Sequence, residues 1–350
     1  MKVLQVIDTL KVGGAEHITV LLSNLLYERK VDAAVLILVE KGELCGLLNT
    51  KIPVFFLERK RRFDKKKLKE VSQLIDEYDL VHIHLKHNFR YVSLASRYFS
   101  KQNHKLIFHD HSHYFGVSKL SARSVKDKLF QSVFKPDYFI GVSQSNCIWA
   151  RERLRLPEGK IFLLENTIAK QNVDEKQAIK RGIVIVSNIS RVKNIDYAIR
   201  LAKHLNERLT IFGKIRDEDY FNELEELVSQ LDYGEHVKFV HDCNNIQPEL
   251  YNYKYAIHTS HQETGPLVLI EYLAQGLPFL AFATGQVFKT IKSELPQCFI
   301  SKFNLESWSL KVKELDKLSS TSLEQVYSDY FSSNNYINRC LSIYQKVINS

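Results

Sequence analysis

From its first residues the chain alternates short β-rich runs with longer stretches of helical period, and that alternation leaves few options besides parallel sheets covered by helices. Strands are predicted near residues 3–7, 34–38, 54–57, 80–83, 105–109, 138–142 and 161–164. The segments between them carry helical spacing: over 15–26, Ile18, Leu21, Leu22 and Leu25 form one apolar stripe, as a helix lying on a sheet requires. A polar stretch at 170–182 has no such period and reads as an interdomain linker. Beyond it the pattern resumes, with strands predicted at 183–186, 209–212, 237–240, 255–259 and 278–283, and helices at 194–205, 219–231, 247–252 and 266–275. The last segment, 322–348, has helical period and is expected to fold back onto the first lobe. A chain of 350 residues accommodates two such domains. The predicted fold class is therefore α/β, with doubly wound domains at 1–169 and 183–330, a linker at 170–182, and 331–350 returning to the first domain.

Charge narrows the partners. The net charge is +9 and the pI about 9.1. Residues 1–169 hold 28 Lys/Arg against 18 Asp/Glu and the remainder 21 against 22, so the excess belongs to the first lobe. Its densest run is Arg59, Lys60, Arg61, Arg62, Lys65, Lys66 and Lys67. Near an anionic leaflet such residues gain up to about 1 kcal/mol each; a solvated helix start is the plain alternative. The run lacks the aromatic interleaving of single-strand binders, so no nucleic-acid partner is expected. No window approaches the roughly 18 apolar residues of a membrane-spanning helix, and Met1-Lys2 leads straight into a strand rather than a signal peptide. A cytoplasmic location is expected, with peripheral attachment to the inner face of the cell membrane. Cys45, Cys147, Cys243, Cys298 and Cys340 are scattered and never spaced Cys-x-x-Cys, which points to reduced thiols.

Gly13 and Gly14 stand between the first strand and the first helix, where glycine lets backbone approach a ligand and the helix start offers free N–H groups. They do not meet the Gly-x-Gly-x-x-Gly spacing. The sharper signal is His261-Gln262-Glu263-Thr264-Gly265-Pro266-Leu267-Val268-Leu269-Ile270-Glu271. Glu263 falls in a loop after a strand, Gly265 and Pro266 open a helix, and Glu271 lies inside it among apolar residues. A buried acid there is costly unless something hydrogen-bonds it, and the two hydroxyls of a ribose would. The same helix start would face a diphosphate. His109, His111 and His113 alternate after a strand, a spacing that suggests a metal only weakly. Asp217-Glu218-Asp219 precedes a helical segment and reads as capping rather than a metal motif.

Seven elements in order resemble the GT-B glycosyltransferases of family 4, the retaining "group 1" transferases. They are Val3–Thr9 with Gly13-Gly14-Ala15-Glu16, Asp79–His84, Ile107–His111, Asp137–Ser143, Glu165–Ile168, Ser190–Asn194, and the paired acids Glu263 and Glu271, eight residues apart. The resemblance implies two Rossmann-like domains facing each other across a cleft, and a hexosyl- or N-acetylhexosaminyltransferase acting on a nucleotide-sugar donor, expected to be UDP-linked. It implies that Glu271 binds ribose hydroxyls, that Glu263 faces the donor sugar, and that the backbone of Thr264, Gly265, Pro266 and Leu267 meets sugar and phosphate. Lys193 would neutralise the leaving diphosphate with no metal required, His109 would sit beside the reacting sugar, and Gly13 and Gly14 would close over the phosphates.

The chain departs from the pattern at Asn188, where the family usually carries arginine five residues before the lysine; Arg191 lies nearby in a different register, and Gly213 is followed by Lys214-Ile215. All of these are carried as candidate donor contacts. His84 and the basic run are candidates for the acceptor or membrane side. The acceptor implied is a glycan or lipid-linked precursor of surface polysaccharide or lipopolysaccharide. Two other readings share the fold: a nucleotide-sugar epimerase, which has no acceptor, and a non-catalytic nucleotide-sugar-binding partner subunit.

Overall fold

A computed structural model describes residues 1–61, 64–101, 104–112, 134–173, 180–243 and 245–350. Arg62, His113 and residues 174–179 of the anticipated linker lie outside the described residues. The chain forms two compact units, Met1–Thr167 with Ser333–Ser350, and Ile168–Ser332.

The first unit is a seven-stranded parallel sheet in the order β3-β2-β1-β4-β5-β6-β7. Its strands are β1 Lys2–Thr9, β2 Asp32–Glu40, β3 Val54–Phe56, β4 Leu80–His84, β5 Lys105–Asp110, β6 Tyr138–Gly141 and β7 Ile161–Leu163. Helices α1 Gly14–Glu28, α2 Lys65–Ile75, α3 Lys86–Phe99 and α4 Gln144–Trp149 cover it. One sheet face is apolar: Leu4, Val6, Val81, Ile83, Phe108 and Phe139 pack with Val71, Ile75, Phe89 and Val92. The opposite face carries Gln5, His82, His84 and His109, all fully buried. Doubly covered parallel strands normally read as unbroken apolar runs, so this polar patch, set beside Ile7, Val35, Ile37 and Ile107 on the same face, is a departure with consequences below.

The second unit is a six-stranded parallel sheet in the order β10-β9-β8-β11-β12-β13. Its strands are β8 Ile183–Val186, β9 Leu209–Phe212, β10 Val237–Val240, β11 Tyr255–His258, β12 Phe279–Phe282 and β13 Phe299–Ile300. The last is only two residues long and gives no alternation to detect. The helices are α5 Ile195–Leu205, α6 Glu218–Gln230, α7 Gln247–Leu250, α8 Leu267–Ala274, α9 Gly285–Ile291, α10 Leu305–Glu314 and α11 Ser320–Val326. In both units the strand order reverses beside the first strand, between β1 and β4 and between β8 and β11. Open parallel sheets bind ligands outside the carboxyl ends of the strands at such a reversal.

The terminal segment is not one helix. It runs as α11, a wide turn Tyr327–Phe331, and then α12 Ser333–Ile348, because Ser332 adopts an extended conformation (φ −63°, ψ 147°). The break separates the units: α11 belongs to the second, α12 to the first. Tyr336, Ile337, Cys340, Ile343, Tyr344 and Val347 form the buried stripe of α12.

Candidate functional site

In the second unit the turn after β8 and the loop after β11 meet at the strand-order reversal. The turn Arg191–Lys193 ends on Asn194 in the left-handed region (φ 54°), a conformation that asparagine tolerates better than most residues. Three bonds from the end of β11 hold it: the Thr259 hydroxyl donates to the Lys193 carbonyl at 2.9 Å, and the Val192 carbonyl accepts from the His261 N–H at 2.9 Å and the Ser260 hydroxyl at 3.3 Å. Lys193 Nζ is thereby brought to 2.6 Å from Glu263 Oε1, and His258 Nε2 to 3.0 Å from the same oxygen. The Glu263 side chain is only 6% exposed. Burial alone would raise its pKa, but the hydrogen bonds and charges of His258 and Lys193 hold it well below the usual carboxylate range. Both donors use Oε1, which leaves Oε2 without a hydrogen-bond partner among the described residues.

Behind this loop, Gln286 N–H donates to the Thr264 carbonyl at 2.6 Å. Gly285 adopts φ +81°, and a Cβ there would stand 2.9 Å from the Glu263 Cβ, so both its conformation and the close approach demand glycine. Neither His258 nor Gly285 is singled out by sequence reasoning. The available signals are a histidine at the end of a strand five residues before an acid, and a Thr-Gly step opening a helix.

α8 follows Pro266 and is pinned by Tyr272, whose hydroxyl accepts from the Val186 N–H at the end of β8 at 3.1 Å. Glu271 lies between Ile270 and Tyr272, both fully buried. Its side chain is half-buried, with no hydrogen bond or ion pair to its carboxylate among the described residues. Burial pushes the carboxyl up to about 7. Glu271, the open oxygen of Glu263 and the Lys193 ammonium are thus supplied by the two connections at one strand-order reversal.

Other candidates are placed differently. Arg191 does not stand free for a phosphate: its guanidinium forms a two-pronged pair with Glu223 of α6 (2.8 and 2.5 Å) and lies over the Tyr220 ring, because the turn presents it to that helix. Asn188 is exposed beyond β8. Gly213 is required by packing, since a Cβ would fall 2.0 Å from the Ser187 carbonyl oxygen. Asp217 caps α6, accepting from the Tyr220 N–H at 3.0 Å.

In the first unit Gly13 is extended (φ −169°) at the N-terminal cap of α1, and Gly14 is its first residue. A Cβ on Gly13 would meet only the mobile end of Glu16, whereas one on Gly42 would lie 2.1 Å from the Leu10–Lys11 backbone. Gly42 is therefore the glycine on which the shape of the β1–α1 loop depends. His109 and His84 are 0% exposed and stand on the sheet itself, at the carboxyl ends of β5 and β4. His111, just past β5, is half-buried. Burial and neighbouring imidazoles push His84 and His109 well below the ordinary histidine value, and burial pushes His82 and His111 down to about 3. Nitrogens of His82, His84 and His109 lie within 4.8 Å of one another, a grouping that a metal could use.

In the basic run, Asp64 caps α2 through the N–H groups of Lys66 and Lys67. Lys65, Lys66 and Lys69 are exposed and Lys67 pairs with Glu70 at 2.9 Å. Arg59 lies over the Tyr91 ring, Lys60 is 3.8 Å from Glu58, and Arg61 is exposed. No described helix is long and apolar enough to cross a membrane.

The family Glycosyl transferases group 1 matches residues 165–329, and Glycosyltransferase Family 4 matches residues 12–171. A search of curated proteins finds no match. Among solved structures the fold is similar to a glycosyltransferase from Rickettsia africae ESF-5 (17% identity, 99% of this chain and 98% of that one, TM-score 0.78). It is also similar to HepE from Anabaena in complex with UDP (16%, 99% and 100%, 0.80). A third likeness is a mutant of S. aureus TarM in complex with fondaparinux, alpha-GlcNAc-glycerol and UDP (12%, 100% and 100%, 0.75). With two Rossmann-like domains and two adjoining family matches that together span nearly the whole chain, the chain belongs to the GT-B glycosyltransferases of group 1.

Proposed function

We propose that this glycosyltransferase takes a hexosyl or N-acetylhexosaminyl residue from a UDP-linked donor and passes it, with retention of configuration, to a glycan or lipid-linked acceptor in surface polysaccharide or lipopolysaccharide synthesis. Glu271 carries the reading: a half-buried acid, raised to about 7, with no partner for its carboxylate among the described residues. A ribose diol supplies the two donors that such a group lacks. UDP in the HepE and TarM complexes supports uracil as the base. Lys193 and the amide-rich start of α8 face the leaving diphosphate, whose charge grows as the glycosidic bond breaks, and they do so without an ion. Glu263 Oε2 accepts from a sugar hydroxyl while Oε1 stays bound to Lys193 and His258. Retention needs no protein nucleophile, because the departing diphosphate takes the acceptor proton on the same face; the protein contributes position and charge.

A membrane-borne acceptor is supported by the exposed Lys65, Lys66 and Lys69 together with Val54, Phe55 and Phe56, which are 37–40% exposed on the edge strand β3. The protein should sediment with anionic vesicles, not neutral ones, and be released by high salt.

The deciding experiment incubates purified protein with UDP-glucose, UDP-galactose or UDP-N-acetylglucosamine and cell-envelope acceptors, measuring released UDP and the anomeric configuration of the product. Transfer gives UDP and a retained linkage. A changed sugar with no acceptor product would indicate epimerisation, and donor binding with no turnover under any acceptor would indicate a binding subunit.

A further inference from the structure

The polar patch of the first unit is a connected hydrogen-bond relay. Gln5 on β1 lies opposite His82 on β4, and His84 opposite His109 on β5, so their side chains share one sheet face, and His111, just past β5, meets His84. Tyr344 of α12 closes the group from the helix layer. The polarity follows from Gln5, whose amide oxygen only accepts and whose nitrogen only donates.

On one side Gln5 Oε1 is 2.8 Å from His84 Nε2, so that nitrogen carries the proton; the neutral ring keeps Nδ1 bare, and His111 Nε2 donates to it across 3.1 Å. On the other side Gln5 Nε2 donates to the Tyr344 hydroxyl at 2.9 Å. The Tyr344 hydroxyl also meets the neutral Cys340 thiol, a weaker acceptor than an imidazole nitrogen, so its proton is directed at His82 Nδ1, 2.6 Å away. His82 Nε2 consequently donates to His109 Nδ1 at 2.9 Å, and the His109 proton resides on Nε2, which has no partner among the described residues. The two distances at Tyr344 favour this sense over its reverse: 2.6 Å is short for an N–H donor and ordinary for a hydroxyl, while 2.9 Å is typical of an N–H donor. Depressed proton affinity keeps all four rings neutral, as the scheme requires.

We propose that Gln5 and Tyr344 are positioning residues that lock this relay in one polarity, so that His109 holds its proton on Nε2 and His111 presents a bare Nδ1 as a hydrogen-bond acceptor. The C-terminal helix is then part of the chemistry of the first unit and not only its cover. The proposal stands on the hydrogen bonds of that unit and does not depend on the transferase reading.

The test is a long-range proton–nitrogen correlation spectrum of the full chain with 15N-labelled histidine, on the wild type and on Gln5→Glu. All four rings should be neutral with the proton on Nε2 in the wild type. In Gln5→Glu the new carboxylate still accepts from His84 but can no longer donate to Tyr344, whose proton turns toward it. His82 and His109 should then invert to the Nδ1–H form, while His84 and His111 keep theirs. A wild-type ring protonated on Nδ1, doubly protonated or bound to a stoichiometric metal would overturn the proposal, and so would a folded Gln5→Glu protein whose His109 tautomer is unchanged. The wild-type spectrum decides alone if the variant does not fold. Tautomer is read without turnover, so an inactive protein leaves this result intact.

Discussion

Replacing Glu271 with glutamine should make the unliganded protein more stable in mild alkali while weakening its grip on nucleotide. Burial lifts the carboxyl from its ordinary 4.5 to about 7, and a displacement of that size corresponds to about 3 kcal/mol. The sign follows from proton binding: the folded chain holds this proton more tightly than the unfolded chain does. The favourable contribution is complete below about pH 4.5 and is lost as pH rises through 7, where a bare charge must be kept in a poorly solvated place. Glutamine has nearly the same shape and no charge. Glu271→Gln should therefore match the wild type within a few tenths of a kcal/mol at pH 4.5 and exceed it by about 2–3 kcal/mol at pH 8.

Urea unfolding at the two pH values measures this, with the fully buried Trp308 reporting the second unit and Trp149 the first. Binding should move the other way. Hydrogen bonds to a charged acceptor contribute about 1.5–3 kcal/mol, so UDP affinity should fall about 10- to 100-fold. Wild-type binding near pH 6.5 should also release a proton, visible as a buffer-dependent heat. A variant equally stable at both pH values, or less stable at pH 8, would mean that the acid has a protein partner, and the ribose assignment would fall with it.

Lys193→Met leaves Glu263 buried with His258 as its one remaining partner among the described residues; breaking such a pair costs about 3 kcal/mol, to be read in the same unfolding experiment, and turnover should drop below detection. Gly285→Ala forces a side chain into the left-handed region against Glu263 and should cost about 1–2 kcal/mol, raising the donor KM by displacing the loop. Arg191→Ala removes an exposed pair with Glu223; the loss should stay under about 1 kcal/mol, with donor affinity unchanged, and a large loss of affinity would restore Arg191 to the donor site. Exhaustive chelation with EDTA should leave the transfer rate unaltered if Lys193 and the α8 amides alone meet the diphosphate.

What the sequence made legible is what repeats along it. Alternating strand and helix periods place twelve of the thirteen strands among the described residues, and the spacing of Glu263 and Glu271 marks a loop and the helix after it. Residues that act through partners distant in sequence were not legible. Nothing in Arg191-Val192-Lys193 tells which cation turns to α6 and which to Glu263; that is settled by Thr259, Ser260 and His261, which hold the turn from another strand. Gly13 attracts attention by its position, yet the close backbone approach belongs to Gly42, on the far side of β2.

The histidines show the same limit from the other direction. In the sequence His109 and His111 alternate, a spacing that suggests a metal only weakly, and His84 is a candidate for the acceptor side. Their roles depend on Gln5 and Tyr344, separated by 339 positions. An isolated glutamine in an apolar first strand and a tyrosine on a C-terminal helix carry no signal of each other. Once they meet, one amide of fixed polarity decides the proton position on every ring of the relay. A buried polar network of this kind must be satisfied throughout or it destabilises the layer that contains it. The Nε2 of His109, which has no partner among the described residues, is therefore a point at which this layer gives up stability. The proton is left there because the relay, fixed from Gln5 inward, has nowhere else to put it.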